Sequence, residues 1–241
     1  MLSIAGFIRD ENVQDPRLRF RWDEWGDALF SAPVDETVAG IFQNLSHRAN
    51  VAFSCTTAEW IVYRFANLID ATEPLQCLEA AWAQQIDFRY SSDWRLGDNW
   101  EGPAKGPVRM ALDQVSLAIE KERDYLDPSS SSAQLDKYAR YLLTEPEPYR
   151  RWSRLIAHRF AKLYSLNPED KLGDVVPREG IDPDIDFDPK LTDQLVNDYL
   201  RRVNFSQNPL LNTPDMMLED GFEGIPYVFD IAEDRRQRLD W

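Results

Sequence analysis

VRMALDQVSLAIEKERDYL, residues 108–126, decides the fold class. Val108, Ala111, Leu112, Val115, Ile119 and Leu126 recur at intervals of three and four, which places them on one stripe of an α-helix. Arg109, Asp113, Glu120 and Lys121 fall mostly off that stripe. A half-buried strand would alternate at period two, and this stretch does not.

The same period continues on both sides. Upstream, residues 91–106 turn to Ser, Asp, Gly, Asn and Pro and read as a loop. Before it, Thr72 and Pro74 suit a helix start, with Leu75, Leu78, Trp82 and Ile86 facing inward toward Tyr90. Thr56 followed by Glu59 has capping-box spacing and predicts a deeply buried helix to about Asp70. Pro33 leads into another over Asp35–Leu45. Downstream, Pro128 and the run Ser129–Ser132 break the chain before helices over Gln134–Leu143 and Tyr149–Leu166, and Leu191–Val203 supplies one more.

Strand signals are few. Arg17–Trp22 alternates polar and apolar for six residues, as a short strand or an extended arm would, and Tyr227–Phe229 could pair with it. Asn208–Phe229 is apolar but punctuated by Pro and Gly; Thr213-Pro214 can open a short helix there and Gly221 can end it. Such a segment is expected to strap across the helical body. The expected fold is therefore mainly α: a compact multi-helix bundle or orthogonal helical array forming a single domain over 1–241. It divides into an N-terminal extended arm or β-ribbon (1–32), a helical core (33–166), an acidic linker (167–190), a helix (191–204) and an irregular C-terminal strap (205–241).

Composition narrows the function. At 241 residues with 43% hydrophobic and 12% aromatic content, the chain has ample apolar material for a core, which excludes disorder for most of it. Its net charge of −15 disfavours a basic patch for nucleic acid or an anionic membrane. No run approaches the roughly 18 to 20 apolar residues that span a bilayer. Met1–Ile8 lacks a basic leader, and Cys55 and Cys77 form neither a CxxC nor a disulfide framework, so a cytoplasmic setting is expected.

Motifs remove more chemistry than they supply. His47 and His158 are the only histidines, too few for a His-rich zinc site, and His158 shares a helical face with Arg151, Arg154 and Lys162 that reads as a solvated basic strip. Gly97–Gly102 has the glycine spacing of a phosphate loop, but Pro103 stands where lysine is required. Asp182, Asp184, Asp186 and Asp188 alternate like a calcium loop, yet Phe187 occupies the position of the turning glycine. No metal site and no cofactor is implied.

Two functions fit what remains. One is a non-enzymatic acidic module that binds a protein with a basic surface, of which a bacterial immunity protein neutralising a toxin or nuclease is a specific form. Its expected contacts are Asp93, Trp94, Asp98, Trp100 and Glu101 in the central loop, with Asp182, Asp184, Asp186 and Asp188 as a second acidic surface. The other is a helical hydrolase using paired Asp or Glu carboxylates brought together by folding. A concave, buried cluster of two or three carboxylates favours the enzyme; a flat acidic surface rimmed by Trp94 and Trp100 favours the binding module.

Overall fold

A computed structural model describes residues 2–8, 13–24, 31–92 and 94–239. Nine α-helices follow one another among these: α1 (Glu36–Phe42), α2 (His47–Phe65), α3 (Thr72–Gln84), α4 (Gly102–Arg123), α5 (Ser129–Leu142), α6 (Glu147–Leu163), α7 (Thr192–Arg202), α8 (Pro214–Glu219) and α9 (Ile231–Leu239). With 58% of the described residues helical and no strand among them, the fold is mainly α.

The body is built around α2, which packs against α3, α4, α5 and α6. Every residue of α2 except Tyr63 is buried. A helix surrounded on all sides needs no polar face, which is why its sequence carries apolar residues with little amphipathic period. Its start lies nine residues before Thr56. Ser46 is the N-cap, its side chain accepting from the Ala49 amide, and the Thr56 hydroxyl donates to the Ala52 carbonyl in mid-helix.

Ser129–Ser132 opens α5 instead of breaking the chain. Asp127 caps its start by accepting from the Ser129 amide and hydroxyl. Ser132 is fully buried against Ser54 of α2, with hydroxyl oxygens 3.1 Å apart, so the small side chains permit close helix approach.

The N-terminal segment Arg17–Trp22 is extended but joins no sheet. Phe20 packs edge-on against Phe65 and Tyr141, the Tyr141 hydroxyl bonds both the Arg21 amide and carbonyl, and Arg64 donates to the Arg17 carbonyl. Tyr227–Phe229 does not pair with it. The Phe229 amide and carbonyl bond the side chain of Asn197, and the Tyr227 hydroxyl donates to the Asn212 carbonyl. Among the described residues β-pairing is limited to isolated bridges.

Residues 167–190 coat the core more than they link helices. Val175, Val176 and Ile181 are fully buried and Phe187 nearly so. The basic helix α6 engages this segment through its backbone: Arg159 donates to the carbonyls of Gly180, Asp182 and Ile185. In the C-terminal part, Leu211, Met217 and Phe229 are buried while Leu218, Ile225 and Val228 are exposed, and α8 begins at the Thr213 cap as its sequence implies. Helix α9 lies in a stretch where irregular structure was expected. Five of its nine residues are charged, which hides it from an apolar-period reading.

Candidate functional site

The central loop does not form the surface anticipated for it. Trp94 and Trp100 are each only 4% exposed. The Trp94 indole donates to Gln84 Oε1 at 3.0 Å and the Trp100 indole to Glu73 Oε2 at 2.9 Å. The loop thus folds its two large rings back onto α3, where their area and N–H groups are both satisfied, and only its polar positions face water. Asp98 and Glu101 are exposed; Asp93 lies outside the described residues. Asp184, Asp186 and Asp188 are exposed and Asp182 is half-buried. Asp182 and Asp188 are turned onto their own loop, accepting from the amides of Asp184 and Lys190.

A concavity of ligand size lies elsewhere among the described residues. A cleft of about 770 Å³, within the range of ligand sites, opens between the ends of α3 and α4, the C-terminal segment and α9. None of the eight described candidate residues lines it.

Its floor is a buried charge cluster. Arg48 of α2 forms two hydrogen bonds with Asp234 of α9, at 2.8 and 2.9 Å, and donates to the carbonyls of Ile86 and Gly173. Glu122, near the end of α4, lies 3.8 Å from Arg48 Nε and is 7% exposed. Burial pushes the Glu122 carboxyl up to about 8; Arg48 opposes the shift and Asp234 adds to it. The group is therefore mostly protonated at neutral pH. Its Oε2, like Arg48 Nε, has no hydrogen-bond partner among the described residues and lies out of reach of water. Arg238 extends the cluster to Asp170 and Asp174, each at 2.8 Å.

The mouth is different in character. Phe88 and Tyr125 line it, 52% and 53% exposed. Asp87 holds Arg89, whose guanidinium lies 4.7 Å from the Phe222 ring centre and donates to the Gly221 carbonyl. The exposed carboxylates Asp220 and Glu223 complete the rim.

Tyr125 has a backbone that few bulky residues adopt, with φ +55°. It ends α4: its amide bonds the Glu122 carbonyl and the Leu126 amide reaches back to the Lys121 carbonyl. This left-handed helix stop is the position where glycine is favoured.

The other buried ionic groups have evident structural partners. Glu59 accepts from Arg178 at 2.6 Å and from the Trp82 indole at 2.8 Å. Asp136 joins Arg140 and Tyr149 between α5 and α6. His47 is buried and His158 exposed, and both cysteines are buried and unbonded to each other. Among the described residues no group of three His, Cys, Asp or Glu side chains is placed to hold a metal ion, and no helix is long and apolar enough to cross a membrane.

One signal for the cleft was present in the sequence. Glu122 falls three residues after Ile119 and seven after Val115, on the apolar stripe itself, where a carboxylate has to be accounted for. No protein-family model, curated protein or solved structure significantly matches the chain.

Proposed function

We propose that the chain is a protein-binding module whose contact site is this cleft, engaging a partner that carries basic groups. The observation that carries the proposal is the mouth: two half-exposed aromatic rings and exposed carboxylates around a concavity of ligand size. Aromatic anchors in a concave site are the usual centres of protein recognition, and acidic rims favour a basic partner. The net charge of −15 would speed its approach. Neutralisation of a basic toxin or nuclease is the specific form of this proposal.

The test compares wild type with a variant carrying Phe88→Ser and Glu223→Lys as baits in lysate of the source organism, at low and moderate salt. The expected result is a stoichiometric basic protein that weakens as salt rises and is lost with the variant, whose own unfolding midpoint stays unchanged. Retention of no basic protein, or retention indifferent to the cleft substitutions, overturns the proposal.

A second reading, a hydrolase, is favoured by Glu122, a protonated carboxyl in a cleft shared with Asp234. It is less well supported because Asp234 is engaged by Arg48 and Arg238 and the unpartnered Glu122 oxygen is sealed from water. A substrate screen in which turnover is found and Glu122→Gln abolishes it would reverse that order.

A further inference from the structure

We propose that the mouth of the cleft is an arginine site, in which a guanidinium from the partner stacks on Tyr125 and pairs with the Asp220 and Glu223 carboxylates. This rests on the protein-binding reading above and names the group that enters.

Tyr125 is the first ground. A bulky residue in the left-handed region is disfavoured relative to glycine, a cost that burial of the ring would offset. Tyr125 is instead 53% exposed, so packing leaves the penalty largely uncompensated at a residue that lines the cleft. An aromatic group set there against the backbone's preference is open to something that arrives.

Charge identifies the arrival. The cations that line the cleft already have carboxylates: Arg48 has Asp234, Arg238 has Asp170 and Asp174, Arg89 has Asp87, and Arg123 lies 3.7 Å from Asp124. Asp220 and Glu223 add exposed negative charge at the rim, where Glu223 also acts on Arg89. The cleft's own lining illustrates the chemistry, because Arg89 sits over the rings of Phe222 and Phe88 at 4.7 and 5.4 Å while Asp87 grips its guanidinium. A planar cation that stacks and donates a fork of N–H groups to a carboxylate fits such a wall better than an ammonium.

The experiment titrates the full chain with N-acetyl-arginine amide, N-acetyl-lysine amide and N-acetyl-norleucine amide, following backbone amides around the cleft by NMR. The arginine compound is expected to saturate shifts at 84–89, 119–126 and 220–223, with the lysine compound weaker and the neutral one silent. Tyr125→Gly should weaken the arginine compound about fivefold while raising the unfolding midpoint by about 2 °C, and Tyr125→Phe should keep the affinity. Absence of saturable shifts, equal binding by Tyr125→Gly, or a lowered midpoint in that variant overturns the arginine assignment. If a basic partner is still captured through the cleft while arginine amide is ignored, the arginine assignment fails alone; if neither binds, the protein-binding reading fails with it.

Discussion

Asp234 of α9 grips Arg48 of the central helix across 186 residues of chain, through hydrogen bonds of 2.8 and 2.9 Å. Around that pair, Arg235 and Arg238 bind Asp174, and the Ile231 amide bonds Asp193. Helix α9 is therefore docked mainly by charge. Asp234→Ala leaves Arg48 buried without its carboxylate and is expected to lower stability by about 3 kcal/mol. Urea unfolding measures the loss. Replacing both members, Arg48→Met with Asp234→Leu, should cost less than the two single changes combined, because neither partner is then stranded.

Glu122 gives stability a pH dependence of defined sign. Its carboxyl is held above the ordinary value of 4.5, at about 8, so the folded chain keeps a proton that the unfolded chain releases. Stability is then lost as pH rises from about 4.5 to about 8 and levels off above. Glu122→Gln should remove that decline, read as the difference in urea midpoints between variant and wild type from pH 5 to 9. His47 acts with the opposite sign. Its burial holds the imidazole below 6.5, so its contribution disappears on acidification and is common to both proteins.

Trp94 and Trp100 are expected to matter for stability. Truncating either to alanine removes a buried indole and should lower stability by about 3 kcal/mol, visible as a depressed thermal midpoint. Trp100→Phe keeps most of the apolar area but forfeits the bond to Glu73, for a loss nearer 1 kcal/mol. If both alanine variants unfolded at the wild-type temperature, the burial of the central loop would be wrong.

How much of this was legible in the sequence depended on how each signal was made. The stripe of Val108–Leu126 and the Thr213 cap report local geometry, and both became helices, although α4 begins at Gly102, inside the stretch 91–106 that its Gly and Pro content marks as a loop, and stops at Arg123, leaving Leu126 exposed beyond its end. Thr56 and Glu59 imitate a helix start because the capping box is a spacing, and the same spacing occurs inside a helix when the side chains have other partners. Trp94 and Trp100 lie in a polar loop, and their burial depends on Gln84 and Glu73, which only tertiary folding brings near. The cleft was hardest to foresee, since its floor joins Arg48, Glu122 and Asp234 from distant parts of the chain.

Gly173 is a test of how tightly the central helix is seated. Its φ is +72°, and a Cβ there would lie 2.4 Å from that of Ser46, the cap of α2. Gly173→Ala should cost about 2 kcal/mol through backbone strain and displacement of the cap. Hydrogen exchange at the first turn of α2 would register the displacement directly.

The two thiols should be inert in the folded protein. Burial raises Cys55 well above its ordinary range and Cys77 to about 12, so neither offers thiolate at neutral pH. Ellman's reagent is expected to react with both only after denaturant is added; prompt labelling of either would contradict its burial.

The enclosure of α2 bears on how this protein could diversify. Eighteen of its nineteen residues are surrounded by other parts of the chain, so almost every substitution along it must be answered by a neighbour on another helix. Lineages of this chain should therefore hold that rod nearly constant and vary at exposed positions, which can change without disturbing the core. Surface chemistry is then free to drift while the architecture stays the same.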